Sequence, residues 1–223
     1  MQLMDTCRAC FDAGTAARAE FAHSETGALH MKRVLVSVIA AGIVAAPAFA
    51  AIEQGAKAPE FKAQASLAGK EFSYSLKDAL KKGPVVVYFY PSAFTGGCNI
   101  QAHTFAENMD KFKAAGASVI GVSLDKIGTL NEFSADPAYC AGKLPVASDA
   151  DGKIAKSYEL KVMDGRPGMK NTKGQDIDHG FTERTTFVVG KDGKVIATIG
   201  YMKPDENVMK ALETVQTLKK PAA

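Results

Sequence analysis

Cys98 stands directly behind Thr95-Gly96-Gly97, where the hydrophobic run Val85 to Tyr90 gives way to small residues. A thiol becomes a nucleophile as its thiolate, and the thiolate is favoured at the first turn of a helix. Backbone N–H groups there lack intrahelical partners, and the macrodipole is positive. From Cys98 onward Ile100, Phe105, Met109 and Phe112 recur at roughly helical spacing and end at Gly116, so the thiol falls at or near such an end. Gly96 and Gly97 carry no side chain and let a small reactant approach the backbone amides. Thr95 offers a hydroxyl donor and acceptor at the mouth of the same turn. Arg184 is a candidate cation, with Arg166 the only other arginine after residue 50. An arginine at a strand edge more often makes a surface salt bridge, and sequence alone leaves both roles open.

The elements around these residues follow from periodicity. Pro84–Tyr90 and Ser118–Leu124 are continuous apolar runs, expected as buried strands. A short helix is expected over Thr129–Ala135, stopping before Pro137, then a brief strand at Val146-Ala147 and a short helix over Asp151–Leu160. Thr185–Val189 and Val195–Ile199 flank an Asp-Gly turn and predict a hairpin. Asp205 is expected to cap a final helix to about Lys219, with Val208, Leu212, Val215 and Leu218 on its apolar face. Alternating strands and helices followed by a hairpin and a helix predict an α/β fold with a mixed central sheet flanked by helices. Between Leu160 and Thr185 no periodicity appears; a loop of that length is usually functional or mobile.

The N-terminus reads differently. Met31 opens a basic pair, Lys32-Arg33, then an apolar run from Val34 to Ala46 and Ala48-Phe49-Ala50, the form of a secretory signal peptide with its cleavage site. The run is too short to span a bilayer comfortably, so no stable membrane insertion is expected after cleavage. Residues 1–30 are expected to be an unstructured extension upstream of the true start, 31–50 the signal peptide, and 51–223 one exported domain, in a bacterial periplasm. Cys7 and Cys10 form a CxxC without a preceding strand or a second pair, which carries no chemistry here. Lysine plus arginine exceeds aspartate plus glutamate by only 3, and the lysines are scattered, so no nucleic-acid footprint is present. Residues 51–223 keep two cysteines, Cys98 and Cys140, which could equally form one structural disulfide.

Pro91-Ser-Ala-Phe-Thr95-Gly-Gly-Cys98 matches the P-x-x-x-T-x-x-C signature of the peroxiredoxins, and YFYPSAFTGGCNIQAHTF resembles their bacterioferritin-comigratory-protein-type subgroup. Gly55 to Phe61, Gly116 to Ser123, Leu144 to Asp149 and Arg184 to Lys194 are similar to further segments of the family, so the resemblance spans most of 51–223. It implies a thioredoxin-like fold and reduction of hydroperoxides without a metal or organic cofactor. It implies that Cys98 attacks the peroxide, Thr95 hydrogen-bonds it, Arg184 holds the thiolate and polarises the O–O bond, and Pro91 shields the site from water. In-line attack would leave Cys98 as a sulfenic acid. The expected partners are a hydroperoxide substrate and a thioredoxin-like or small-thiol reductant, with the chain a monomer or homodimer.

The subgroup's usual resolving position, five residues after the attacking cysteine, is His103 here, which is expected as a helix-face residue. Cys140 is close to where some relatives place a resolving cysteine, and an intramolecular disulfide with Cys98 is expected during turnover. A one-cysteine peroxidase reduced by an external thiol and a non-catalytic redox sensor are the alternatives. A thiol–disulfide oxidoreductase would need C-x-x-C where this chain has Thr95-Gly-Gly-Cys98, so no neighbouring thiol could release a mixed disulfide.

Overall fold

The computed structural model describes residues 51–200 and 202–219. The expected extension over 1–30, with Cys7 and Cys10, and the expected signal peptide over 31–50 lie outside the described residues. The elements run β1 (Lys62–Leu67), β2 (Lys70–Ser75), α1 (Leu76–Leu80), β3 (Val85–Phe89), α2 (Gly96–Ala114), β4 (Ser118–Ser123) and α3 (Ile127–Ala135). They continue with β5 (Val146–Ser148), α4 (Lys153–Ser157), β6 (Val162–Met163), β7 (Phe181–Thr182), β8 (Thr185–Val189), β9 (Val195–Gly200) and α5 (Pro204–Lys219).

One seven-stranded sheet has the order β2-β1-β5-β4-β3-β8-β9. β3, β4 and β5 are parallel, and β1, β2, β8 and β9 join antiparallel, so the sheet is mixed as expected. β3 is the reason this sheet has two cores. Val85, Val87 and Phe89 face one side and pack with Ile120, Val122 and Phe187. Val86, Tyr88 and Tyr90 face the other, with Phe105 and Phe112 of α2 and Val208, Leu212 and Val215 of α5. Alternation of side chains along a strand puts this uninterrupted apolar run to use on both faces. Each fully buried valine, leucine, isoleucine or phenylalanine here contributes about 1.5–3 kcal/mol. Tyr88 fits only because its β4 neighbour is glycine, since a Cβ on Gly121 would lie 2.6 Å from the tyrosine ring.

Helix α2 stops as its sequence predicts, at Gly116 with φ 80°, the left-handed conformation that glycine adopts without steric cost. Its buried face is set by Ala102, Phe105, Ala106 and Phe112, while Ile100, expected on that face, is 53 % exposed. Two other expectations change at α5. Pro204 takes the first helical position, where its missing N–H costs nothing, so Asp205 lies inside the first turn instead of capping it. Leu218 is exposed while Ala211 joins Val208, Leu212 and Val215 in the core. The hairpin β1–β2 and helix α1 carry no strong sequence signal. Between Leu160 and Thr185, β6 and β7 pair antiparallel, so this segment is tied by a short ladder of its own.

Candidate active site

β3 delivers the chain to the site at its C-terminal end, outside the carboxyl ends of the parallel strands where α/β sheets bind ligands. The turn Pro91–Thr95 then leads into α2. Thr95 occupies the N-cap position and Cys98 the third helical residue, with the first intrahelical bond running from Asn99 N to Thr95 O at 2.8 Å. The thiol therefore sits among unpaired amides at the positive end of a 19-residue helix. It is buried, with 2 % of the residue exposed.

Arg184 reaches Cys98 because β8 runs antiparallel to β3. Phe89 at the end of β3 pairs with Thr185 at the start of β8, so the residue just before β8 lies beside the turn that leaves β3. Its Nη2 donates to Cys98 Sγ at 3.4 Å, and its Nη1 donates to Gln101 Oε1. No ion pair to Arg184 occurs among the described residues, so the salt-bridge reading is not the one its geometry supports. Gly97 makes this approach possible: a Cβ there would come 3.1 Å from Arg184 Nη2 and 3.4 Å from Pro204 Cγ. The glycine thus leaves room for the guanidinium as well as for a reactant.

Thr95 is half-buried, and its hydroxyl donates to Ser92 O at 2.8 Å without capping α2. With its proton committed, the oxygen keeps acceptor capacity for a bound O–H group. Pro91 is half-buried at the start of the turn. Phe94 takes φ 55° and turns its carbonyl to Thr172, whose N and Oγ1 each donate to it at 2.8 Å. The aperiodic segment expected to be functional or mobile is therefore pinned to the cysteine-bearing turn. His103 is exposed on α2 and faces Glu107 at 3.3 Å, a helix-face position as expected.

Cys140 lies in the turn after α3, fully buried, and both thiols are free. The two belong to the same core cluster beside Tyr88. Burial pushes the Cys140 thiol well above the usual range, and the nearby Asp136 charge pushes it the same way. The Cys140 turn packs against the segment that leads to Cys98. Tyr139 packs edge-on against Phe94 at 5.7 Å, and Lys173 sits 3.9 Å above the Phe94 ring while pairing with Asp136 at 3.1 Å. Lys173 thus bridges the turn that leads to Cys98 and the turn that carries Cys140.

Sequence reasoning missed the residues that anchor the turn from below. Asp125, two residues after β4, is 2 % exposed. Its Oδ2 accepts from Ala93 N at 2.8 Å and Ser123 Oγ at 2.7 Å, and its Oδ1 accepts from Ser92 Oγ at 3.0 Å. His179 Nε2 also meets Oδ1 at 3.0 Å, while its Nδ1 faces Gly180 O at 2.7 Å. Two acceptors facing the two ring nitrogens are both satisfied only by the doubly protonated imidazolium. Burial opposes that charge, but the Asp125 hydrogen bond and charge, with Gly180 O and Asp178, outweigh it and raise the His179 pKa above its ordinary 6.5.

A raised histidine value means that the native state binds the extra proton more tightly than the unfolded chain does. The stabilisation is therefore complete below about pH 6.5 and is lost as pH rises through the higher native value. Thermal midpoints measured from pH 5.5 to 8.5 should fall on the alkaline side in the parent. In His179→Gln the midpoint should be lower at acid pH and its dependence over this interval flatter. An equally steep profile in the variant would remove His179 as the cause.

Residues 54–198 match the AhpC/TSA family. The chain is 32 % identical over 174 residues to the chloroplastic peroxiredoxin Q of Sedum lineare, covering 77 % of this chain and 82 % of that protein. Its fold is similar to the crystal structure of the peroxidoxin BcpB from Mycobacterium tuberculosis, with TM-score 0.63 and 28 % identity over 76 % of this chain and 99 % of that one. It is also similar to the bacterioferritin comigratory protein of Xanthomonas campestris, solved in trapped intermediate and ligand complexes, with TM-score 0.56 and 26 % identity over 70 % and 92 % of the two chains. The chain belongs to the AhpC/TSA family. With thioredoxin-like architecture and peroxiredoxins of the Bcp type as its relatives, it is an enzyme of the thiol peroxidase class.

Proposed function

We propose that the protein reduces hydrogen peroxide and organic hydroperoxides through Cys98 and resolves the oxidised thiol through Cys140. The observation that carries this reading is the Arg184 guanidinium 3.4 Å from a thiol at the N-terminal turn of α2. The Cys98 thiolate attacks the terminal peroxide oxygen, an S–O bond forms, and the O–O bond breaks. The oxygen bearing R or H leaves with the electron pair and takes a proton, giving alcohol or water. The free amides of the first turn and Arg184 can meet that departing charge, while Thr95 Oγ1, its own proton committed to Ser92 O, accepts from the peroxide O–H. Gly96 and Gly97 leave room for the reactant, and Pro91 at the start of the turn limits access by water. The Xanthomonas campestris relative is described by its alkyl peroxide reduction activity, which supports an organic as well as an inorganic substrate.

Resolution has the second thiol attack the sulfenic sulfur, forming Cys98–Cys140 and releasing water. Two thiols of a thioredoxin-type protein then reduce the disulfide. Cys140 is buried and kept protonated, so it becomes a nucleophile only when its turn moves toward solvent. That order protects it from the peroxide itself. Cys140→Ser should leave the first turnover intact and reduce steady-state peroxide consumption with thioredoxin and thioredoxin reductase by at least about tenfold. Unchanged turnover in this variant would instead support one-cysteine catalysis with an external thiol. A parent protein that consumes no peroxide with any thiol would leave only a sensor.

Export through residues 31–50 to a bacterial periplasm belongs to the same proposal, supported by the basic, apolar and small-residue order of that segment. N-terminal sequencing of the protein from a periplasmic fraction should read Ala51 first; a chain retaining Lys32-Arg33 would contradict it.

A further inference from the structure

Behind Arg184 lies a relay of buried amides. Gln101, one turn beyond Cys98 in α2, accepts from Arg184 Nη1 with Oε1 and donates with Nε2 to Asn207 Oδ1 at 3.1 Å. Asn207, in the first turn of α5, also accepts from Thr186 Oγ1 at 2.6 Å and donates with Nδ2 to the backbone carbonyl of Ile199 at 3.0 Å. Gln101, Thr186 and Asn207 are all fully buried, so water offers none of them a substitute partner.

The direction of this relay is fixed at one end. The Ile199 carbonyl can only accept, so the group facing it must be the asparagine NH2. Asn207 Oδ1 must then face Gln101, which must answer with its own NH2. The oxygen of Gln101 is thereby turned to Arg184. A carboxylate at position 101 would set oxygen against oxygen at the 3.1 Å contact, because Asn207 cannot flip without losing Ile199. The relay therefore admits an amide and disfavours an acid behind the guanidinium. An amide orients Arg184 while leaving its charge uncompensated, whereas a carboxylate would pair with it and weaken its hold on the thiolate.

We infer that Asn207 is a positioning residue for the reaction at Cys98: through Gln101 it aims Arg184 at the thiol and keeps a neutral group behind the guanidinium. This inference rests on the reading of Cys98 as the attacking thiol. The signal was present in the sequence, since Asn207 lies four residues before Ala211 on the apolar face of α5, where a core residue would otherwise stand.

The test uses the full chain with four variants: Asn207→Ala, Gln101→Ala, their combination, and Gln101→Glu. Two quantities are read. One is kcat/KM for hydrogen peroxide. The other is the pH profile of iodoacetamide alkylation at the Cys98 peptide, followed by mass spectrometry so that Cys7, Cys10 and Cys140 do not interfere. Asn207→Ala should lower kcat/KM about tenfold, the order expected for a lost hydrogen bond that orients a charged group. It should also move the alkylation profile to higher pH. Adding Asn207→Ala to Gln101→Ala should change kcat/KM less than about twofold, because the relay is already cut. Gln101→Glu, which preserves shape, should move the alkylation profile upward without any change in packing volume. A purely structural asparagine would lower the thermal midpoint in both backgrounds and leave the alkylation profile where it was. That result, or multiplying effects in the double variant, overturns the inference. Should Asn207→Ala fail to fold, an unmoved profile in Gln101→Glu overturns it alone. Cys98→Ser serves as the control: if it consumes peroxide like the parent, the peroxidase reading fails first. If it is silent while the relay variants match the parent, only the inference fails.

Discussion

Replacing Cys98 with serine is expected to reduce hydrogen peroxide consumption by the chain to the buffer rate, a loss of more than about 10³-fold. Cys98 is the thiol that meets both a helix N-terminus and a guanidinium. Cys140 has neither, is fully buried and is held in the unreactive thiol form by its surroundings. A serine hydroxyl would fit the same space, so the fold should survive and the thermal midpoint should stay near that of the parent. The assay is peroxide remaining with time in the presence of excess dithiothreitol. Residual consumption above a tenth of the parent rate would move the chemistry to another residue.

Arg184→Leu carries the second largest expected effect. Preorganised donors aimed at developing charge are worth about 10²–10³-fold each in rate. The macrodipole contributes at most about 2 kcal/mol in partly buried geometry, so the helix end alone cannot replace the guanidinium. We expect kcat/KM for peroxide to fall about 10²–10³-fold in single-turnover kinetics. Arg184→Lys should recover only part of this. A lysine is a point charge, whereas Arg184 uses separate nitrogens for Gln101 and Cys98. A leucine variant within threefold of the parent would show that the contact at Cys98 has no bearing on rate.

The long apolar runs at β3 and β4 and the glycine stop at Gly116 were readable from the sequence because burial and backbone conformation act locally. Thr95 and Cys98 were readable from their motif and Arg184 through the family resemblance, and the β3–β8 register joins them. The β1–β2 hairpin was not, because its turn is Ala68-Gly69, with φ 51° and 76°, and lacks the asparagine or aspartate that usually marks such turns. Its strands, Lys62–Leu67 and Lys70–Ser75, carry lysine and serine among their apolar residues, and β2 is an edge of the sheet. Ile100 and Leu218 were misplaced because helical spacing gives a face only to within a residue, and packing partners decide which side chains are covered. Asp125, His179 and Asn207 escaped because their roles depend on contacts 21 to 106 residues apart. Only their positions hinted at them: Asp125 just past the carboxyl end of a parallel strand, and Asn207 on an otherwise apolar helix face.

Cys98 is expected to be oxidised by peroxide before any other group, and Cys140 to answer it. Exposing the full chain to one equivalent of hydrogen peroxide in the presence of dimedone, then mapping adducts and disulfides by mass spectrometry, tests this most directly. Dimedone should label Cys98, and in its absence a Cys98–Cys140 disulfide should accumulate. Label on Cys140, or an unmodified Cys98 after the peroxide is consumed, would overturn Cys98 as the attacking thiol.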